Sequence, residues 1–95
     1  MKQTSLFSNY FKEFEVENPK ISWEERSDLE DAYDFYYDDR FIGTVYELEK
    51  TIANDATLYR YSWASGKIRH AGVYNAKALQ ARFHVDLTNA THSFV

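Results

Sequence analysis

Carboxylates and aromatic rings are concentrated in one short stretch of this sequence, DLEDAYDFYYDDR, at residues 28–40. Clustered acids can bind calcium, hydrolyse glycosides or attract a basic surface. A calcium loop of the EF-hand type needs a glycine among its alternating oxygen ligands, and this stretch contains none. Glycoside hydrolysis needs two carboxyl groups on facing walls of a cleft, whereas one element displaying its acids outward supplies a single wall. Attraction of a basic surface is the chemistry that remains.

The three histidines, His70, His84 and His92, do not indicate a metal site. Their spacing is not that of compact zinc ligands, and the chain has no cysteine to complete a zinc set. The sequence also has no Gly-rich phosphate loop, no nucleophile elbow and no HExxH motif. We therefore expect no metal, no cofactor and no catalytic residue, and we predict that the protein is not an enzyme.

Length and composition favour one globular domain spanning residues 1–95. Eight Tyr, seven Phe and two Trp argue against disorder, because disordered chains are poor in aromatic residues. The absence of cysteine suits a reducing compartment, and no apolar run approaches the length of a signal peptide core or a membrane span. These features predict a cytoplasmic protein and leave its oligomeric state open.

Charge is divided unequally between the two halves of the chain. Residues 1–50 contain 13 acids and six bases, whereas residues 51–95 contain two acids and five bases. One explanation is that the halves face each other in the fold and neutralise. The other is that the acidic half meets a basic partner outside the chain. The sequence leaves both explanations open.

The acidic stretch must be positioned by the elements around it, and the first half of the chain shows helical spacing. Five apolar residues recur at that spacing and predict a helix over residues 5–16: Leu6, Phe7, Tyr10, Phe11 and Phe14. Ser27, followed three residues later by Glu30, predicts the start of a second helix. A short third helix is predicted over residues 45–53, from Val45, Leu48 and Ile52.

The predicted second helix has a packing face and an acidic face. On a helical wheel, Leu29, Ala32, Tyr33 and Tyr36 share the packing face, with Trp23 in or beside the core. The acids Glu30, Asp31, Asp34 and Asp38 lie opposite, and Phe35 projects among them. Acids three and four positions apart repel one another, and those near a helix C-terminus oppose the helix dipole. Helix stability therefore does not explain this face.

The second half of the chain shows strand spacing. Two runs rich in aromatic and β-branched residues flank the connection ASG and predict a β-hairpin over residues 57–74. Asn75 can cap a single helical turn, and strict alternation then predicts a strand over residues 81–87. The expected fold is α+β, with two or three N-terminal helices packed on one face of a small C-terminal antiparallel β-sheet.

The hairpin offers an alternative function, because its rings and cations could hold single-stranded nucleic acid by stacking and phosphate contact. Tyr59, Tyr61 and Trp63 share one face of the first strand, and Arg60, Lys67 and Arg69 stand nearby. We expect the ring face to lie under the helices, because it is the largest apolar surface available to them. Direct nucleic-acid binding is therefore not our preferred prediction.

Our main hypothesis is a binding module whose acids steer it to a basic protein surface while a ring anchors it. The predicted partner-binding residues are Asp31, Asp34, Phe35, Tyr37, Asp38 and Asp39. In size, charge and aromatic content the chain resembles the small acidic inhibitors that phages and mobile elements direct against nucleases, CRISPR and restriction complexes, and nuclease immunity proteins. The resemblance implies that the chain acts as a nucleic-acid mimic; the alternative is that the acids form a solvated face.

Overall fold

The computed structural model describes residues 6–29 and 31–92. This part of the chain forms a helix, five strands and a second helix: α1 (Leu6–Glu17), β1 (Ile21–Glu25), β2 (Ala32–Tyr37), β3 (Arg40–Ala53), β4 (Ala56–Ser65), β5 (Ile68–Asn75) and α2 (Ala76–His92). The strands form one antiparallel sheet in the order β1-β2-β3-β4-β5. Helical and strand content were both predicted, but their arrangement was wrong, because a five-stranded sheet dominates and one of the two helices is C-terminal.

Helix α1 confirms the helix predicted over residues 5–16. It ends at Glu17 because Pro19 disfavours a helical conformation at the residue before it. The backbone N–H of Asn18 donates to the carbonyl of Phe14 at 2.9 Å and closes the last turn. Phe11 and Phe14 are buried, so this helix supplies aromatic rings to the core.

The acidic stretch is a strand and a tight turn, so the helix predicted to start at Ser27 was wrong. Tyr33 and Phe35 alternate along β2 and point toward the helices. Asp38 and Asp39 then turn the chain into β3 with positive φ values of 50° and 66°. Two positive φ values in a two-residue hairpin loop define a type I′ turn, which favours Asn, Asp and Gly.

The third helix predicted over residues 45–53 was also wrong, because these residues belong to β3. Val45 is buried, but Leu48 and Ile52 are 55% and 77% exposed, so the three do not form one apolar stripe. A β-bulge between Glu47 and Glu49 leaves Leu48 without a partner in β4. The extra residue interrupts the two-residue alternation and gives the sequence its false helical spacing.

The hairpin predicted over residues 57–74 is confirmed by β4 and β5, which are joined through Gly66 at a φ of 58°. The strand predicted over residues 81–87 was wrong, because α2 continues from its cap to His92. Asn75 Oδ1 accepts a hydrogen bond from the backbone N–H of Ala78 at 2.8 Å, as expected of a helix cap. Five residues of α2 form its buried stripe: Leu79, Phe83, Asp86, Leu87 and Ala90.

Both helices pack on the same face of the sheet. The Phe11 ring lies 4.9 Å from that of Phe35, and the Phe83 ring lies 6.0 Å from that of Trp63. Tyr61 and Trp63 are fully buried, which confirms that the ring face of the hairpin lies under the helices. The opposite side of the sheet, termed the open face, carries alternate residues such as Asp34 and Arg60.

Candidate functional site

Phe35 is a core residue rather than a surface anchor. Its side chain is 1% exposed. The centre of its ring lies 4.9 Å from the ring centre of Phe11, 5.2 Å from that of Phe83 and 5.9 Å from that of Trp63. The prediction that it projects among the acids was therefore wrong. The alternation of a strand directs Phe35 and Tyr33 to the helix side, whereas the helical wheel separated them. Phe35 cannot contact a partner without unfolding.

Asp38 and Asp39 are exposed at the β2–β3 turn, next to the start of β1. The backbone N–H of Asp38 donates to the carbonyl of Lys20 at 2.7 Å. Tyr37 is half-buried, and the Lys20 Nζ lies 5.9 Å from the centre of its ring. This end of the sheet therefore presents two carboxylates on a turn that is fixed by main-chain contacts.

Asp34 belongs to a polar network on the open face. Thr44 Oγ1 donates to Asp34 Oδ1 at 2.6 Å, and Arg26 Nη1 lies 3.8 Å from the same oxygen. Arg26 also donates to both carboxylate oxygens of Asp28, at 2.9 and 2.8 Å. The Arg26 hydrogen bond lowers the pKa of Asp28, and the Asp28 carboxylate raises the pKa of Arg26. Asp34 therefore helps to hold the connection between β1 and β2.

Like charges stand directly opposite each other in this part of the sheet. Glu24 in β1 pairs with Asp34 in β2, an arrangement that destabilises an antiparallel ladder. The pKa of the neighbouring Tyr36 is raised by burial of the Tyr36 hydroxyl, and the negative charges of Glu24 and Asp34 raise it further. Arg26 offsets part of the repulsion. The placement of Glu24 therefore does not serve strand pairing.

Acidic residues follow the β1 side of the sheet from one end to the other. Asp31 lies at the far end from the β2–β3 turn, half-buried, with a φ of 53°, and its carbonyl accepts from the Glu47 N–H at 2.9 Å. We define the acidic edge as Glu24, Glu25, Asp28, Asp31, Asp38 and Asp39. At about 3.3 Å per residue, the acidic edge spans roughly 20 Å.

Strand order keeps this acidic edge away from the bases of β4 and β5. Within residues 20–40, and leaving aside Glu30, which lies outside the described residues, there are seven acids and three bases. Residues 56–75, which contain β4 and β5, carry Arg60, Lys67 and Arg69 and no acid. Because each strand pairs only with its neighbours in sequence, the two regions lie on opposite sides of the sheet. The unequal charge of the sequence becomes a charge separation in the fold.

Several acidic-edge residues were not among the predicted site residues. Glu24, Glu25 and Asp28 join Asp31, Asp38 and Asp39 there, whereas Phe35, Asp34 and Tyr37 have packing or network roles. The sequence EERSD, at residues 24–28, could have indicated these acids. An arginine between acids can form a charge-assisted ion pair, as Arg26 does with Asp28, and so fix the conformation of the connection between two strands.

A second polar cluster lies between α2 and the sheet. Asp86 accepts a hydrogen bond from the Tyr61 hydroxyl at 2.7 Å, and Arg82 Nη2 lies 2.9 Å from the other carboxylate oxygen. Burial, followed by the bond to Asp86, raises the pKa of Tyr61 strongly. Because Tyr61 is fully buried and Asp86 is 3% exposed, a substrate cannot reach them. The cluster joins α2 to the sheet.

The histidines are separated in the fold. His70 Nε2 hydrogen-bonds the Tyr74 hydroxyl on β5, His84 Nδ1 lies 3.2 Å from the Tyr10 hydroxyl, and His92 ends α2. Among residues 6–29 and 31–92, no three His, Asp or Glu side chains are arranged to hold a metal ion. In the same residues, no helix has the length and apolar character needed to span a membrane.

No protein-family model matches this chain, and the comparisons with curated proteins and with solved structures found no match either.

Proposed function

We propose that this protein is a binding module that docks its acidic edge on a basic surface of a partner protein and blocks that surface from nucleic acid. The observation that carries the proposal is the charge separation across the sheet. The bases of β4 and β5 lie on the far side of the sheet and do not neutralise the acidic edge. Among the acidic-edge carboxylates, the exposed Glu24, Asp38 and Asp39 can therefore steer a basic partner.

The extent of the acidic edge supports competition with nucleic acid. Its carboxylates are spread over roughly 20 Å, a length that about six phosphates of one strand of B-form DNA also occupy. Arg26 offsets one of the carboxylates, that of Asp28. A surface that binds a phosphate track by Lys and Arg contacts can therefore engage the acidic edge in a similar way.

The alternative of single-stranded nucleic-acid binding by the hairpin has less support. Its rings, Tyr61 and Trp63, are buried under the helices and cannot stack on bases. The absence of cysteine from the sequence favours a cytoplasmic setting for the proposed module. Inhibition of a nuclease or of another nucleic-acid-binding complex is the activity that we propose.

The test compares two variants that each lose four charges. The edge variant carries Glu24→Gln, Glu25→Gln, Asp38→Asn and Asp39→Asn, in which Asn keeps the conformational preference of the turn. The control variant carries Glu13→Gln, Glu15→Gln, Glu17→Gln and Asp55→Asn, four acids that do not belong to the acidic edge. Immobilised wild-type protein and both variants are incubated with host extract, and retained proteins are identified by mass spectrometry.

We expect wild type and the control variant to retain one basic protein that the edge variant loses. An oligonucleotide should displace that protein, and retention should weaken as salt rises from 50 to 300 mM, because steering between exposed charges is screened. Equal retention by the edge variant would remove the acidic edge from the proposed function. Circular dichroism of each variant establishes that the fold is intact before binding is compared.

A further inference from the structure

The second half of β3 has a neighbouring strand on only one side. β2 pairs with β3 as far as Ala32 opposite Tyr46, whereas β3 continues to Ala53 in its ladder with β4. Residues 48–57 therefore extend beyond β2 as a hairpin, which we term the arm. Every residue of the arm is exposed. In the described part of the chain, no strand pairs with the arm on its β2 side.

The arm's turn determines which main-chain groups face that unpaired side. Ala53 and Ala56 flank the two-residue turn at residues 54–55, and flanking residues of such a turn exchange both hydrogen bonds. The pattern repeats every second residue, so Thr51 also bonds to β4. The N–H and C=O groups of Lys50 and Ile52 consequently point away from β4. They form a short strand edge with two donors and two acceptors.

Side chains on the two faces of the arm differ in character. On the helix side, Ile52 is 77% exposed beside a depression of about 420 Å³, which is lined by Lys50, Thr51, Ile52, Thr57 and Tyr59. On the open face, Glu49 follows the bulge. Arg60 stands opposite Glu49 and reduces that charge. The edge thus offers Ile52 and Lys50 beside the depression on one side and a weakly acidic face on the other.

We infer that the edge formed by Lys50 and Ile52 binds an extended segment of a partner protein as an added β-strand. A residue that bonds to Ile52 shares its face, so the segment places apolar β-branched residues toward the depression and basic residues toward the face that carries Glu49. Main-chain hydrogen bonds supply most of the affinity, as in other strand additions. The inference goes beyond the proposed function, because it does not require the acidic edge to bind.

The probe is a fluorescein-labelled peptide of sequence Lys-Val-Lys-Val-Lys-Val-Lys, measured by fluorescence anisotropy. In the added strand the valine N–H groups face the arm and the lysine N–H groups face away. A peptide N-methylated at its three valines should bind at least tenfold more weakly, because it loses the donors to the arm. The matched peptide N-methylated at its lysines should bind within about twofold of the unmodified one.

Two protein variants and one exchange measurement locate the binding site. Ile52→Pro removes an outward N–H without breaking the β4 ladder and should weaken binding about tenfold, whereas Ile52→Val should not. Saturating peptide should slow amide hydrogen exchange at Lys50 and Ile52 by at least tenfold. The variant with the four acidic-edge substitutions should bind the peptide like wild type, which separates this inference from the proposed function.

Several results would overturn the strand addition. These are absence of binding at millimolar peptide, equal loss with both methylated peptides, and binding without slower exchange at Lys50 and Ile52. A concentration-dependent dimer in sedimentation, with Ile52 protected before peptide is added, would assign the edge to a second copy of the chain instead.

Discussion

The buried carboxyl group of Asp86 provides a sharp test of the structure. It accepts from Tyr61 at 2.7 Å and pairs with Arg82 at 2.9 Å, in the layer between α2 and the sheet. We consider three variants: Tyr61→Phe, Asp86→Leu and the double variant. Each removes polar atoms from this layer with little change in the shape of the core.

The expected magnitudes follow from burial. Tyr61→Phe loses a hydrogen bond to a charged acceptor and should cost about 2 kcal/mol of unfolding free energy. Asp86→Leu removes the carboxylate that accepts from the buried Tyr61 hydroxyl and that pairs with Arg82. Because the Arg82 side chain is 38% exposed, its guanidinium can turn toward water, so we expect about 3 kcal/mol rather than the upper limit for a fully buried pair.

The double variant distinguishes a real interaction from two separate packing defects. With Phe and Leu together, no buried hydroxyl lacks a partner, so the loss should be about 2 kcal/mol smaller than the sum of the two single losses. Urea unfolding at pH 7, followed by tryptophan fluorescence and circular dichroism, gives the free energies by linear extrapolation. The denaturant slope should stay constant among the variants, because the surface exposed on unfolding is nearly unchanged.

Additive losses would refute this reasoning. A coupling of less than about 0.5 kcal/mol is the value found for independent sites, and it would mean that Tyr61 and Asp86 do not interact in the folded chain. The same result would mean that α2 is rotated about its axis, so that Asp86 does not face the sheet.

Three further predictions concern the core and the turns. Burial raises the pKa of Tyr61, so its contribution to stability is fully present below its ordinary pKa of about 10 and is lost as pH rises above it; Tyr61→Phe should flatten that decline in alkaline urea titrations. Asp39 has a φ of 66°, so Asp39→Ala should lower the unfolding free energy by about 1 kcal/mol and Asp39→Gly should not, a difference that thermal unfolding would resolve. A Cβ on Gly43 would lie 2.7 Å from Trp63 Cζ2 and 2.8 Å from the Ala64 carbonyl, so Gly43→Ala should cost about 1–3 kcal/mol and alter the tryptophan emission; an unchanged melting temperature would contradict the packing of Trp63.

Helix α1 and the β4–β5 hairpin were predictable because local and tertiary preferences agree there. The rings of α1 repeat at helical spacing and Pro19 ends the pattern. In β4 the rings alternate around small and polar residues, and Gly66 supplies the positive φ of the turn. In both segments the side that the pattern marks as apolar is the side that the core buries.

Helix α2 and strand β3 were predicted wrongly because, in each, a single residue obscures the spacing of the apolar residues. In α2, the buried Asp86 occupies a position of the apolar stripe, so the polar and apolar residues seemed to alternate as in a strand. In β3, the extra residue at the Leu48 bulge gives a strand the apparent spacing of a helix. A buried charge is placed by partners distant in sequence, here Tyr61 at 25 residues, and a local window does not contain them.

The acids of the site were found by composition, but their setting was not. The helical interpretation places Asp38 near a helix C-terminus, where the helix dipole opposes its charge, and this cost in stability favoured a function. In the structure Asp38 and Asp39 occupy a turn that favours Asp, so helix strain is no longer a reason to suspect them. The cross-strand pair of Glu24 and Asp34 is the like-charge arrangement that the fold does contain.

A turn of this type requires positive φ, and Asn or Gly satisfies that requirement without a charge. The β3–β4 turn has Asn54 before Asp55, and the β4–β5 turn begins with Gly66, whereas the turn beside the acidic edge has aspartate at both positions. The positive φ values explain why a residue such as Asn, Asp or Gly occupies these two positions. They do not explain why both residues carry a negative charge. Substitution of both by Asn therefore separates the two roles, because it preserves the turn and removes only the charge that the proposed partner would meet.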